Sequence, residues 1–318
     1  MGRWLVGCLI LSCTLPASAK LPWPQWVQQF RSEAISDGIE PRFFDDVFRD
    51  LQPNQSVMRF DHTQPEKRLS YQHYLHTRAS NDRIAIGRNE YQKNKRLLNE
   101  IGDRYGVDPC FIVSLWGMES SYGRYMGNFP VIRSLATLAY DDRRADFFRS
   151  QLKQALHIVS EGHVSLENFK GEWAGASGQP QFLPSSWYRY AVDYDGDGRK
   201  DIWFSHPDVF ASIANYLKLN GWRKGEPWAV EVTLPKNFDM RLEGKDKIKP
   251  VREWQALGVR LTNGESLPRG DLEASVVQPY GGPTFLTYKN YRVIMTYNNS
   301  IYYAGAIGYM ADSICRRR

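Results

Sequence analysis

The sequence predicts an α+β protein, mainly α, with one small β-containing region. Three observations carry this prediction. Apolar residues recur at helical spacing over the first two-thirds of the chain. Short β-rich runs divided by Gly and Pro appear only after about Pro227. The stretch from Ser300 to Ile314 then returns to an apolar helical pattern. At 318 residues the chain can bury a sizeable core in one large domain or two smaller ones, and 42% hydrophobic with 24% charged residues is a folded composition.

The first element is an export signal over residues 1–19. Arg3 gives a short positive start, Trp4 to Leu15 is almost wholly apolar, and Ala17-Ser18-Ala19 fits a small-residue cleavage site before Lys20. The apolar run is too short to span a bilayer comfortably. Leu5-Val6-Gly7-Cys8 resembles a lipoprotein processing box but lies too near the start to leave a usable apolar segment before it. The expected location is therefore the periplasm, in soluble form, rather than a lipid anchor in the outer membrane.

Residues 20–106 read as a helical region. Trp26, Phe30, Ala34 and Ile35 share one helical face, as do Leu97, Leu98 and Ile101, with Pro41 and Pro53 as punctuation. Residues 107–226 stay helical but become more apolar, with Gly-rich interruptions. There, Asp108-Pro109 is a strong helix start, because Asp caps and Pro suits the first helical position. The helix that follows is apolar nearly all round, so it should be buried on most faces, and Glu119 is its one ionisable side chain.

A lone acid there has two explanations: a structural ion pair, or a catalytic acid at a cleft floor. Burial and the negative helix end both raise its pKa, and a Glu kept protonated near neutral pH can protonate a glycosidic oxygen. The helix by itself favours the structural pair. The neighbourhood reverses that preference. Ser120-Ser121-Tyr122-Gly123 follows at once, and the run Gly171 to Ser186 is rich in small residues that let backbone approach a ligand, with Gln181 offering fixed hydrogen bonds.

Further on, Asp193, Asp195, Asp197 and Asp201 stand at positions 1, 3, 5 and 9 of a loop with Gly198 at position 6. Arg199 at position 7 offers its backbone carbonyl. This is EF-hand spacing for a hard cation, although position 12 is Phe204 instead of Glu. A solvated acidic turn is the plainer alternative; clustered acids repel without a cation, which favours Ca²⁺ in a structural role. Residues 227–299 form the small β-containing region, with runs at 228–234, Val251 to Leu261, Ala274 to Gln278 and Tyr291 to Tyr297. Residues 300–318 give a terminal helix that should pack back on the helical body.

The segments "WGMESSYG" and "WAGASGQPQFLPSSW", with the "DGDG" loop and the "YNNSIYYAGAIGYMAD" tail, resemble the lytic murein transglycosylase B family, in order and over nearly the whole mature chain. The resemblance implies a lysozyme-like catalytic core with flanking helices and a small β-containing domain. It also implies non-hydrolytic cleavage of the MurNAc-β-1,4-GlcNAc bond of peptidoglycan, with 1,6-anhydro-MurNAc ends. Carried over by motif, Glu119 is the single acid/base. Tyr74, Gln181, Tyr216, Tyr297, Asn298 and Tyr303 line the groove, and Asp208 supplies the late carboxylate of the calcium loop. Arg143 and Arg144 match an arginine pair near the glycan and its peptide; the residues by themselves favour a solvated helix start. Glu172 stands where the family usually has Ser. If it faces Glu119 the two acids should titrate as a coupled pair, and if it turns to solvent they should not.

No cofactor is needed for this chemistry. The mild net charge of +6 suits a polyanionic partner, and export removes most of the case for nucleic acid. The expected partners are peptidoglycan glycan strands and other cell-wall enzymes, met by a monomer. The 10 Trp, 18 Tyr and 15 Phe fit either core packing or a sugar groove. Cys110 and Cys315, the thiols left after export, either pair or stay separate and buried. Two other functions compete: a lysozyme-type hydrolase, distinguished by reducing product ends, and a non-catalytic wall-binding protein, which the buried Glu argues against.

Overall fold

The computed structural model describes residues 20–63, 69–268 and 271–315. The export signal and the Cys8 box lie outside the described residues. By contacts the chain falls into two compact units, divided between Asp50 and Leu51.

The first unit holds helices α1 (Trp23–Ser36) and α2 (Pro41–Phe48). Trp26, Phe30 and Ala34 recur every four residues and are the buried face of α1. Phe44 and Phe48 of α2 stack at 4.2 Å and close against Phe30. Glu40 caps α2 by accepting from the Phe43 amide, with Pro41 at the first helical position.

The second unit is again mainly helical. Helices α3 (Gln55–His62), α4 (Tyr71–Arg78), α5 (Asn81–Lys93) and α6 (Lys95–Tyr105) lead to α7 (Pro109–Ser120). Asp108 caps α7 as its sequence predicts, its side chain accepting from the Cys110 amide at 3.0 Å. Strand β1 (Phe129–Pro130) pairs antiparallel with β2 (Lys170–Gly171), and between them run α8 (Val131–Tyr140) and α9 (Ala145–Ser160). Then come α10 (Pro184–Tyr190) and α11 (His206–Leu219).

The β-containing region is one five-stranded antiparallel sheet. It comprises β3 (Ala229–Thr233), β4 (Lys249–Pro250), β5 (Arg260–Leu261), β6 (Glu273–Val277) and β7 (Phe285–Thr287), in spatial order β4-β6-β7-β3-β5. Leu286 is paired with Val230 on one side and Val276 on the other. A core of Val232, Val251, Trp254, Val259, Ala274, Val276, Leu286 and Tyr288 fills out the sheet.

Of the runs read as β in the sequence, Val251 to Leu261 is helical in its first half and reaches strand only at β5, and Tyr291 to Tyr297 is helical throughout. Val251–Ala256 is α12, and Tyr291 to Tyr297 lies inside α13 (Lys289–Tyr297). β-Branched and aromatic content suggested strands there, but β-propensity mostly reports packing context. Tyr291, Ile294 and Met295 are buried at helical spacing. The Asn290 side chain, donating to the Arg223 and Glu226 carbonyls at 2.9 and 2.6 Å, fixes the helix start.

The terminal helix α14 (Ile301–Ile314) does return to the helical body. Its partner is α7, and three contacts set an antiparallel register. Cys110 and Cys315 form a disulfide. The Ser114 hydroxyl donates to the Ile307 carbonyl at 2.8 Å. Tyr303 bonds Glu119. The open question about the two thiols is thus answered by pairing, and a disulfide fits an oxidising compartment. Among the described residues no helix is long and apolar enough to cross a membrane.

Candidate active site

Glu119 lies in the last turn of α7, partly exposed at the end of an otherwise buried helix. The chain must turn away at once. Ser121 and Tyr122 both take positive φ, 51° and 63°, and Gly123 follows at 76°. Non-glycine residues seldom adopt this region, so surrounding packing must hold it. Tyr122 supplies that hold. It is buried, its hydroxyl donates to the Arg83 carbonyl at 2.8 Å, and its ring occupies space that a side chain at Gly117 or Gly87 would fill.

The Tyr303 hydroxyl donates to Glu119 Oε1. Burial is the largest influence on Glu119 and raises its pKa to about 7; the Tyr303 hydrogen bond and the Arg78 charge oppose that rise. Burial first, and then the Glu119 charge, hold the Tyr297 and Tyr303 hydroxyls well above the ordinary phenol range. The same carboxylate acts on Tyr74 and Tyr216. Four predicted groove residues therefore surround Glu119.

They are held in a network. The rings of Tyr216 and Tyr297 lie 4.5 Å apart, and the Tyr216 hydroxyl donates to the Thr296 carbonyl at 2.7 Å. The Tyr297 hydroxyl donates to the Pro180 carbonyl at 2.6 Å, which ties α13 to the Gly-rich run. Gln181 has a φ of 53°, and its amide donates to the Gly178 and Met126 carbonyls at 2.9 and 3.1 Å. Beneath it, Gln179 accepts from the Trp116 indole at 2.6 Å and donates to the Trp203 carbonyl. Asn298, exposed, ends α13 directly after Tyr297. Tyr74 stands edge-on to Tyr302 at 5.9 Å.

Three predicted residues are held by other contacts. Arg143 and Arg144 belong to a 3-10 turn between α8 and α9 and are bound to Asp61, which is buried. Arg144 pairs with the Asp61 carboxylate, and Arg143 donates to its backbone carbonyl at 2.6 Å. They hold the end of α3, a role that a sequence separation of 82 or 83 residues concealed. Glu172 follows β2, its amide bonded to the Ala176 carbonyl, and it is not among the charges acting on Glu119. Arg78 and Arg83, which the sequence reading passed over, do belong to the neighbourhood. Arg83 donates to the Ser121 hydroxyl at 3.3 Å.

In the acidic loop, Asp193, Asp195 and Asp197 bring carboxylate oxygens within 4.8 Å of one another. All three are hard oxygen donors in one turn, the chemistry that suits Ca²⁺. The Arg199 guanidinium pairs with Asp197 at 2.8 Å and holds that carboxyl below the usual range. Asp201 and Asp208 are not in the trio. Asp208, fully buried, accepts from the Tyr194 and Asp201 amides, both at 2.8 Å, and burial raises its pKa to about 6. Asp201 accepts from the Trp203 and Phe204 amides. These two fasten the loop ends, while the trio would hold the ion. Calcium should raise the melting temperature, by mass action on the folded state. The double change Asp195→Asn with Asp197→Asn should abolish that shift; identical melting in calcium and in EDTA for the unaltered protein would remove the site.

Comparison with known proteins shows the family. Residues 22–312 match the transglycosylase SLT domain family. Membrane-bound lytic murein transglycosylase B of Escherichia coli is 34% identical over 242 residues, which are 72% of this chain and 62% of that protein. The chain thus spans under two-thirds of that curated relative. SltB3 of Pseudomonas aeruginosa, solved in complex with NAG-anhNAM-pentapeptide and with NAG-NAM-pentapeptide, is 45% identical with a TM-score of 0.89, covering 92% of this chain and 79% of that one. Escherichia coli Slt35, solved in complex with calcium, is 28% identical with a TM-score of 0.80, covering 92% and 93%. These neighbours have the lysozyme-like fold that the resemblance implied. With a family match over nearly all of its described residues, the chain belongs to the transglycosylase SLT domain family.

Proposed function

We propose that this protein is a periplasmic lytic transglycosylase that cleaves the MurNAc-β-1,4-GlcNAc bond of peptidoglycan with Glu119 as its one acid/base. The observation that carries the proposal is a carboxyl group with a pKa of about 7, ringed by tyrosines and with no second carboxylate acting on it. Ordinary glycosidases flank the bond with two carboxylates. With one, the reaction needs another nucleophile.

Glu119, protonated, gives its proton to the leaving glycosidic oxygen. The N-acetyl group of MurNAc stabilises C1 as that bond breaks. Glu119, now a carboxylate, takes the proton from the C6 hydroxyl, whose oxygen attacks C1 and closes the 1,6-anhydro ring. Proximity favours this capture over attack by water. A pKa near the working pH serves both halves of the cycle. The Tyr303 hydroxyl, kept protonated by its surroundings, donates throughout and fixes the carboxyl group's orientation.

Tyr74, Gln181, Tyr216, Tyr297, Asn298 and Tyr303 line the glycan groove in this reading, with Arg143, Arg144 and Glu172 farther along it. Residues 107–226 act as the catalytic core, 20–106 and 300–318 as flanking helices, and 227–299 as the accessory β-containing region. The calcium loop is structural. Support for the substrate comes from the peptidoglycan fragments held by SltB3. The purified protein should release soluble fragments from isolated murein sacculi; sacculi left intact by folded protein would contradict the assignment.

A further inference from the structure

We propose that Arg78 and Arg83 form a carboxylate-binding site at the rim of the Glu119 cleft, which takes an acidic group carried by the glycan strand. The inference rests on the glycan-cleaving function proposed above and adds a specificity determinant to it.

Arg83 is half-buried on α5. Its guanidinium donates to the Ser121 hydroxyl, a neutral group, and no carboxylate among the described residues pairs with it. A poorly hydrated cation without an anion is unfavourable, and an anion brought to it relieves that cost. Arg83 is also held firmly. Its carbonyl receives the Tyr122 hydroxyl, and Tyr122 is seated in the space left by Gly87 and Gly117. The Ser121 contact places the guanidinium two residues beyond Glu119.

Arg78 ends α4, exposed and without an ion pair among the described residues. Its charge reaches Glu119 and Tyr74; burial first, and to a lesser degree the Arg78 charge, lower the pKa of Arg83, so the two cations are near enough to act on one another. Two like charges near one another are relieved by an anion between them. Guanidinium forks match a carboxylate in geometry and charge. A glycan strand offers one in two forms: on the peptide attached to the muramyl lactyl group, or on the lactyl group itself once the peptide is removed.

The test uses full-length protein carrying Glu119→Gln, so that binding is read without turnover, and two pairs of strands. One pair is a peptide-bearing strand and its amidated counterpart. The other is a peptide-stripped strand and its amidated counterpart. We expect tenfold or so tighter binding of the acid form in one pair, and the pair that shows it identifies the carboxylate. Arg78→Ala and Arg83→Gln should each remove most of that preference, while Arg83→Lys keeps part of it. Equal affinity for acid and amidated forms in both pairs would overturn the inference, as would a preference that survives Arg78→Ala. Arg78 is exposed, so that variant should fold even where Arg83→Gln does not. A failure of the parent enzyme, with Glu119 intact, to cleave any strand would instead overturn the proposed function.

Discussion

Replacing Glu119 with Gln is expected to abolish glycan cleavage while leaving fold and glycan binding in place. Gln is nearly isosteric, and its carbonyl oxygen can still accept from the Tyr303 hydroxyl that bonds Glu119 Oε1. It cannot give up and take back a proton. A general acid or base contributes roughly 10²–10⁴-fold, and in the proposed reaction one group performs both duties. The loss in kcat should therefore be at the upper end of that range or beyond it. Release of muropeptides from sacculi, with circular dichroism to establish folding, measures it. Substantial residual turnover in a folded Gln variant would mean that the acid lies elsewhere.

The same substitution should stabilise the protein at alkaline pH. Burial raises the Glu119 pKa from 4.5 to about 7, so the folded state holds its proton where the unfolded chain has lost it. The stability tied to that proton is complete below pH 4.5 and is lost as the pH climbs to about 7. A shift of this size corresponds to about 3 kcal/mol. Gln does not titrate and escapes the penalty. Urea unfolding at about pH 4 should give closely similar stabilities for the two proteins, and at about pH 8 an advantage to the variant of up to ~3 kcal/mol. A constant difference across that span would mean that Glu119 is not held protonated by its surroundings.

The parts of this architecture written in local chemistry were legible in the sequence. Asp108-Pro109 announces the start of α7, and a lone acid in an apolar helix singles out Glu119. The terminal helix was legible from its apolar pattern. What could not be read depends on packing between distant segments. Tyr291 to Tyr297 has the composition of a strand, yet tertiary contacts make it a helix. Arg143 and Arg144 read as a solvated helix start until Asp61 is brought beneath them. Arg78 and Arg83 carry no motif at all; Arg83 is brought to the turn after Glu119 by the Tyr122 hydroxyl bonded to its carbonyl, and Arg78 ends the helix before it. The pairing of Cys110 with Cys315 spans 205 residues, and only the antiparallel register of α7 and α14 explains it.

The central claim is that a single carboxyl group cleaves the glycan and that the substrate's own C6 hydroxyl, not water, captures C1. Digestion of peptidoglycan in H₂¹⁸O followed by mass spectrometry of the fragments tests this directly. The account predicts MurNAc ends one water lighter than a reducing sugar and free of ¹⁸O. Reducing ends carrying ¹⁸O would contradict it and make the enzyme a hydrolase, with a second group at the site to activate water.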